Sequence, residues 1–342
     1  MGFKVIITRD FDHMSEAAAG IMAGNIQQNL AAKNGVRLGL ATGNTPTGLY
    51  KHLAKIANGG GFDPARVTSF NLDEYVGLPG ENAQQRALHP ESYCFFMIQE
   101  LFGLLRTRFR EANLPAATVI EQEELISALA DHPADWKERG GDRGRAIVIG
   151  AEAVSPCLRR IRRDILDAYQ SKIEAGGGID LHLIGVGGRG HVGFHEAGIP
   201  FDDQGMLLVR LDDNTIENAI ADGHFPDRDS SPRYAVSMSA PLVYRAQTVL
   251  LVANGPRKAE PLARSLLMEP DCSVPISYGH RAVREGRDVI YVLDRAAAAE
   301  VLAKLPAVEK RGIEVEDVSS RSASVPVENI AFRRDPAAGR LV

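Results

Sequence analysis

The sequence predicts an α/β fold, a doubly wound and mostly parallel sheet of the Rossmann-like three-layer α/β/α kind, carrying an insertion and a C-terminal extension. Two observations carry that prediction. Short β-branched runs alternate with longer amphipathic ones, which is the pattern of successive βα units. The chain is also long enough for one large domain or two small ones, with 342 residues of which 44% are hydrophobic and 24% charged. In such a sheet ligands bind at the C-terminal ends of the strands, so functional residues are to be sought there.

Strands are expected at residues 4–7, 36–41, 66–70, 180–185, 207–211, 248–253 and 288–292, where apolar and β-branched side chains run together. Helices are expected between them at 15–32, 47–57, 92–105, 157–173 and 257–268, where the apolar spacing turns helical. Residues 122–153 pass through His132-Pro133 and Gly140-Gly141 with several charges, and read as a surface insertion holding one strand at 146–150. A single domain is expected over 1–305, with 306–342 as an extension. From 315 to 342 the chain has no helical period, is rich in Ser, Arg and Asp, and is broken by Pro326 and Pro336, so it is expected to be extended or partly disordered.

Charge and composition exclude several classes of function. Lys and Arg number 39 against 44 Asp and Glu, a formal net charge of −5, so the clustered excess of base that nucleic acid demands is absent and no nucleic-acid partner is expected. No run approaches the roughly 18 apolar residues of a membrane span, and residues 1–10 lack the apolar core of a signal peptide. No membrane partner is expected, and the location is expected to be cytoplasmic. Met1-Gly2 begins like a myristoylation site, but Ile6 stands where Ser or Thr is required. Cys94, Cys157 and Cys272 form no CxxC pair; buried thiols are expected rather than a disulfide framework or a structural zinc site.

Three clusters carry chemistry. In the first, an apolar strand runs into Thr42-Gly43-Asn44-Thr45, with Pro46 where the first turn of a helix tolerates a missing N–H. N–H groups at that helix start and the hydroxyls of Thr42 and Thr45 would cradle an anion such as phosphate; the alternative is a plain turn capped by Thr45. The Lys of a P-loop is absent. In the second, Asp73-Glu74-Tyr75 ends a strand and His89-Pro90-Glu91-Ser92-Tyr93 opens a helix. Adjacent carboxylates on an extended segment point apart, so one can face the crevice as a general base while the scaffold holds the other; the alternative is a strand-end Asp acting as a cap.

The third cluster runs from Ile179 to Glu196, where Gly185, Gly187 and Gly190 satisfy GxGxxG and Asp212 follows a later strand. The dinucleotide reading fails on the helix, because Gly193, Gly198, Pro200 and Gly205 leave no uninterrupted helix to hold a pyrophosphate. His191 and His195 are four apart, but Gly193 lies between them and no third metal ligand is evident. Pairing His191 with Glu196 is more economical, the carboxylate orienting the imidazole as a general acid or base; a solvated His without a role is the alternative.

Jointly and in this order, these segments resemble the glucosamine-6-phosphate deaminase/isomerase family, within the superfamily that includes the 6-phosphogluconolactonases. The resemblance rests on Thr-Gly-Asn-Thr-Pro at 42–46, Phe-Asn-Leu-Asp-Glu-Tyr-Val-Gly-Leu at 70–78, His-Pro-Glu-Ser-Tyr at 89–93, Gly-Val-Gly-x-x-Gly-His at 185–191, Phe-x-Glu at 194–196 and Asn254-Gly255-Pro256-Arg257-Lys258-Ala259. It covers residues 1–305 apart from the insertion. It implies conversion of a hexosamine 6-phosphate to a ketose 6-phosphate with loss of ammonia, without metal or organic cofactor. On that resemblance Asp73 moves a proton from C2 to C1, His191 assisted by Glu196 opens the pyranose ring, and phosphate sits on the 42–45 turn and Lys258. Gly185 and Gly187 would shape the substrate site, and a homo-oligomer is the usual family state.

Departures from the family pattern bear on substrate. Arg189 stands two before His191 where the family has Asp, which would lower the imidazole pKa and offers a guanidinium to a second anionic group on the ligand. Residues 213–223 offer no base where the family carries a lid Arg, and His195 replaces a usual Asn. Alternatives are therefore an isomerase of a non-amino or doubly anionic sugar phosphate, a lactone hydrolase using His191 to activate water, and a sugar-phosphate sensor. A transcriptional sensor would need an N-terminal helix-turn-helix, and the first strand is expected to begin at Lys4, too early for one.

Overall fold

The computed structural model describes residues 2–202, 205–221 and 223–321. In chain order its strands are β1 (Phe3–Thr8), β2 (Val36–Leu40), β3 (Val67–Asn71), β4 (Asp73–Val76), β5 (Glu111–Asn113), β6 (Trp136–Gly141), β7 (Gly144–Ile149), β8 (Leu181–Ile184), β9 (Met206–Arg210), β10 (Tyr234–Met238), β11 (Thr248–Ala253), β12 (Asp288–Asp294) and β13 (Ile313–Asp317). Helices that bear on the site are α1 (Phe11–Ala32), α2 (Thr47–Asn58), α3 (Tyr93–Glu100), α4 (Gln122–Asp131), α5 (Asp213–Ala221) and α6 (Ala259–Leu267). The expected strands recur within a residue or two at their ends.

The main sheet has eight strands in the order β13-β1-β12-β11-β8-β2-β3-β5, and every neighbouring pair is parallel. Its inner strands are largely apolar because helices cover both faces, while the edge strands β5 and β13 are polar and partly exposed. In β11, Val249 and Leu251 join the core on one face, with α6 and the helical stretch Pro156–Arg160, Ile161–Asp167 and Ala168–Ala175; Leu250 and Val252 join the core on the other, with α1 and α2. That is the doubly wound three-layer arrangement. Helix starts follow the capping residues: Asp10 accepts from the His13 N–H ahead of α1, and Ser92 from the Phe95 N–H ahead of α3. The helix expected at 92–105 stops at Glu100, and Phe102–Leu104 continues only as a 3-10 turn.

A second sheet departs from the expectation. Five strands in the order β4-β10-β9-β7-β6 pair antiparallel throughout. The strand expected at 207–211 belongs here, not to the main sheet. Residues 122–153 are no mere surface insertion: they supply α4 and the hairpin β6–β7, and β7 lies between β9 and β6. β6 escapes sequence reading because its composition, Trp-Lys-Glu-Arg-Gly-Gly, is that of a charged edge strand. The segment expected as an extension from 306 likewise supplies β13, paired parallel to β1, with the buried Lys4 ammonium 2.6 Å from Glu314 and 3.0 Å from Glu316. Pro326 and Pro336 lie outside the described residues. All three cysteines are free thiols, but only Cys157 is buried, Cys94 and Cys272 being partly exposed. Among the described residues no helix is long and apolar enough to cross a membrane.

The two sheets meet at Leu72. Its N–H donates to Leu40 O at 3.0 Å in the main sheet, and its carbonyl accepts from Met238 N–H at 2.8 Å in the second. Beneath the junction β2 and β8 approach closely because Gly39, the register partner of His182, has no side chain. A Cβ there would overlap the fully buried imidazole, which burial holds neutral with its pKa pushed down to about 3. Gly39→Ala is accordingly expected to cost about 1–3 kcal/mol by overpacking. His182→Ala in the same chain should restore part of that loss in a urea titration; additive losses would show that the ring is not what Gly39 accommodates.

Candidate active site

β11, β8, β2 and β3 are consecutive neighbours in the main sheet, and the loops leaving their C-terminal ends surround a crevice of about 660 Å³. Thr42, Gly43, Asn44 and Thr45 reach it from β2, Asp73 from the corner after β3, Gly185, Gly187 and His191 from β8, and Lys258 from β11. Thus the three sequence clusters converge on one opening. Thr45 is not the cap of α2, whose N-cap position is Pro46, with no side-chain cap. Its hydroxyl donates instead to Asn254 Oδ1 at 2.9 Å, a staple that crosses the end of β8 and joins the two loops suited to an anion. The 42–45 turn leading into α2 and Lys258 both line the crevice.

Asp73 and Glu74 open β4 and, as successive residues of a strand, point apart. Asp73 lines the crevice yet is only 5% exposed, and burial, reinforced by the neighbouring Glu74 charge, raises its pKa well above the usual carboxylate range. Glu74 faces the scaffold, where its oxygens accept from the N–H groups of Tyr75 at 2.9 Å, Tyr93 at 3.0 Å and Cys94 at 2.9 Å. The last two open α3, so the carboxylate anchors that helix start. Burial still outweighs the three donors and lifts the Glu74 pKa to about 7.

On the β8 side, His191 Nδ1 lies 3.3 Å from Glu196 Oε2, and Glu196 Oε1 accepts from the Thr215 hydroxyl at 2.6 Å. A Cβ on Gly187 would overlap the His191 ring, and one on Gly193 would meet Asp73 Oδ2 at 3.0 Å, so both glycines are there for close approach. No helix follows Gly190 within the described residues up to 202. His195 cannot join His191 on a metal: its Nδ1 accepts from Ala240 N–H at 3.0 Å and its Nε2 donates to Ile199 O at 3.0 Å. Burial pushes its pKa down to about 4, which keeps it neutral.

Arg189 does not go where it was expected. Its guanidinium is paired with Asp212 and it does not line the crevice, so it is not placed to bind a second anion there. Nor does it act on His191 as an uncompensated charge, since the Asp212 carboxylate neutralises it. Sequence reading also missed Thr215 and His224, which line the crevice from α5 and the turn beyond it. His224 Nδ1 is 2.7 Å from Glu91 Oε2, giving a role to the Glu of His-Pro-Glu-Ser-Tyr. Where the sequence offers no fixed positive charge, the segment presents a hydroxyl and an imidazole to the crevice.

Comparison with known proteins finds relatives over most of the chain. A glucosamine-6-phosphate deaminase of Clostridium perfringens (strain 13 / Type A) is 32% identical over 296 residues, 86% of this chain and 98% of that one. One from Clostridium botulinum (strain Loch Maree / Type A3) is 28% identical over 299 residues, 87% of this chain and 98% of its own. Among solved structures, a monomeric glucosamine-6-phosphate deaminase superposes with a TM-score of 0.64 at 26% identity, covering 87% of this chain and 99% of the other. A 6-phosphogluconolactonase from Thermotoga maritima gives a TM-score of 0.53 at 16% identity over 85% of this chain and 99% of its own, which shows a shared fold alone. No protein-family profile matches the chain.

Two stability measurements check the site's scaffold. Glu74→Ala strips three N–H groups of their acceptor and is expected to destabilise by about 2–4 kcal/mol in chemical denaturation; a loss under about 0.5 kcal/mol would mean that water replaces it. His195 is neutral when folded and protonates at an ordinary pKa of 6.5 when unfolded, so its contribution is complete above pH 6.5 and is lost as pH falls toward about 4. The melting temperature of His195→Asn should therefore fall less than that of the parent between pH 7 and pH 5. Parallel curves would show that His195 is not the titrating group.

Proposed function

The chain belongs to the glucosamine-6-phosphate deaminase family, and from that premise we propose that it converts a hexosamine 6-phosphate to the ketose 6-phosphate and ammonia in this crevice. The observation that carries the reading is Asp73, a buried carboxylate of raised proton affinity lining the same crevice as His191. A base whose pKa lies nearer the working pH can both take and return a carbon-bound proton.

In the proposed sequence, the phosphate rests on the 42–45 turn and Lys258. His191, oriented by Glu196, gives a proton to the ring oxygen as the C1 hydroxyl loses one, which opens the pyranose to the aldehyde. Asp73 then removes the proton from C2 while O1 gains one, giving an enolamine. Return of that proton to C1 shifts the double bond to C2–N, water adds to the resulting iminium, and ammonia departs to leave the C2 ketone. Besides the proton transfers, the sequence breaks the C1–O5 bond on ring opening, forms a C2–O bond to water and breaks the C2–N bond as ammonia leaves, with no change of net oxidation state. A lactone hydrolase on this scaffold would use His191 and leave Asp73 idle; deamination uses both. The expectation of a homo-oligomer gains nothing from a relative that is itself monomeric.

The test is ammonia release from glucosamine 6-phosphate and galactosamine 6-phosphate, with ketose assayed in parallel. Equal yields of the two products are expected; silence on both sugars, with retained binding, would overturn the reading in favour of a sensor. Asp73→Asn should lower kcat by about 10³-fold and abolish exchange of the C2 proton with solvent while ligand still binds. Full exchange in that variant would remove Asp73 as the base.

A further inference from the structure

We propose that Arg189 and Thr215 are positioning residues for the His191–Glu196 pair: Arg189 fastens the start of α5 to the His191 loop, and Thr215, from the first turn of that helix, aims the Glu196 carboxylate. The inference rests on the function just proposed and deepens it.

Glu196 is 1% exposed, so no solvent corrects its orientation, and the structure gives each carboxylate oxygen a side-chain partner. The His191 contact, at 3.3 Å, is long for a charge-assisted bond, which is usually about 2.7–2.9 Å. The Thr215 bond, at 2.6 Å, is the short one. The imidazole therefore does not fix the carboxylate by itself; Thr215 holds one oxygen, and rotation about the carboxyl bond then leaves the other facing His191. Without that hydroxyl the carboxylate is free to turn and His191 loses the partner that selects its ring orientation.

Thr215 is in place only while α5 is docked, and the docking contacts lie at both ends of the segment. At the start, Asp212 accepts the Ile216 N–H on its carbonyl at 3.1 Å and pairs through its carboxylate with Arg189, two residues before His191. The loop that carries the acid is thus tied directly to the helix that carries its orienting hydroxyl. On the buried side Ile216 joins Tyr75, Phe194 and Phe225 in one apolar cluster, and beyond the helix His224 meets Glu91.

Four variants test this: Thr215→Val, Thr215→Ser, Arg189→Gln and the double Thr215→Val/Arg189→Gln. Thr215→Val is expected to lower kcat by at least about tenfold with KM within about twofold, and Thr215→Ser to return kcat to within about threefold of the parent. Arg189→Gln should lower kcat in the same way and raise amide hydrogen exchange across 213–221 in the ligand-free protein, and the double variant should be no slower than the slower single one. Unchanged kcat in Thr215→Val, or losses that multiply in the double variant, would overturn the proposal. Two arms need no turnover: the ¹⁵N signals of the His191 ring should move in Thr215→Val and not in Thr215→Ser, and unchanged α5 exchange in Arg189→Gln would by itself refute the fastening. If the parent is inactive on every hexosamine phosphate, the functional reading fails while these two arms still decide the positioning.

Discussion

The constraint on which the site depends is the peptide of Leu72, bonded upward into one sheet and downward into the other. A strand leaving a parallel sheet would ordinarily pass into a loop with freedom at its tip. Here the chain turns the corner within one residue and is captured by β10, with Asp73 in register opposite Ser237. Ser237 in turn accepts the N–H of Phe194 at 2.9 Å, so the His191 loop is docked on the same corner. Two loops from different strands thereby share one reference point, which fixes Asp73 and the His191 loop relative to each other.

That corner also explains how two adjacent carboxylates acquire different properties. Both are buried, and burial alone would raise both. Glu74 receives three N–H groups, two of them from the start of α3, which offset much of the penalty and leave it near pH 7. Asp73 instead has the negative field of Glu74 beside it, a second raising influence. The scaffold carboxylate therefore raises the proton affinity of the one that faces the crevice.

What the sequence revealed follows from the range of the interactions involved. The six inner strands of the main sheet were legible because burial on both faces makes each a short apolar run, whereas its edge strand β5, Glu-Ala-Asn, was not. β6 and β13 were not, since Trp-Lys-Glu-Arg-Gly-Gly and Ile-Glu-Val-Glu-Asp are edge compositions whose pairing is decided by a distant partner. The crevice-lining residues 42–45, 73, 185, 187 and 191 were singled out from the loops after the strands, and Lys258 from the family resemblance. Arg189 was identified as unusual and then misdirected, because only the tertiary structure puts Asp212 against it. Thr215 and His224 carried no signal at all, as a hydroxyl or imidazole acquires meaning from what it touches.

The crevice is polar in a directional sense, and this bears on how a substrate would lie in it. The 42–45 turn, the start of α2 and Lys258 gather positive potential, and the Thr45–Asn254 bond holds those parts together. Asp73 and, behind His191, Glu196 supply negative charge from the β3 and β8 sides. A hexosamine 6-phosphate is itself a dipole, with a phosphate at C6 and an ammonium at C2. The orientation that pairs each end with its complement brings C2 to Asp73, the position from which the proposed chemistry begins, so the electrostatic cost of seating the ligand backwards falls on both ends at once. On the proposed reading the carboxylate nearest C2 is the one that moves the proton, while Arg189, paired with Asp212, does not line the crevice.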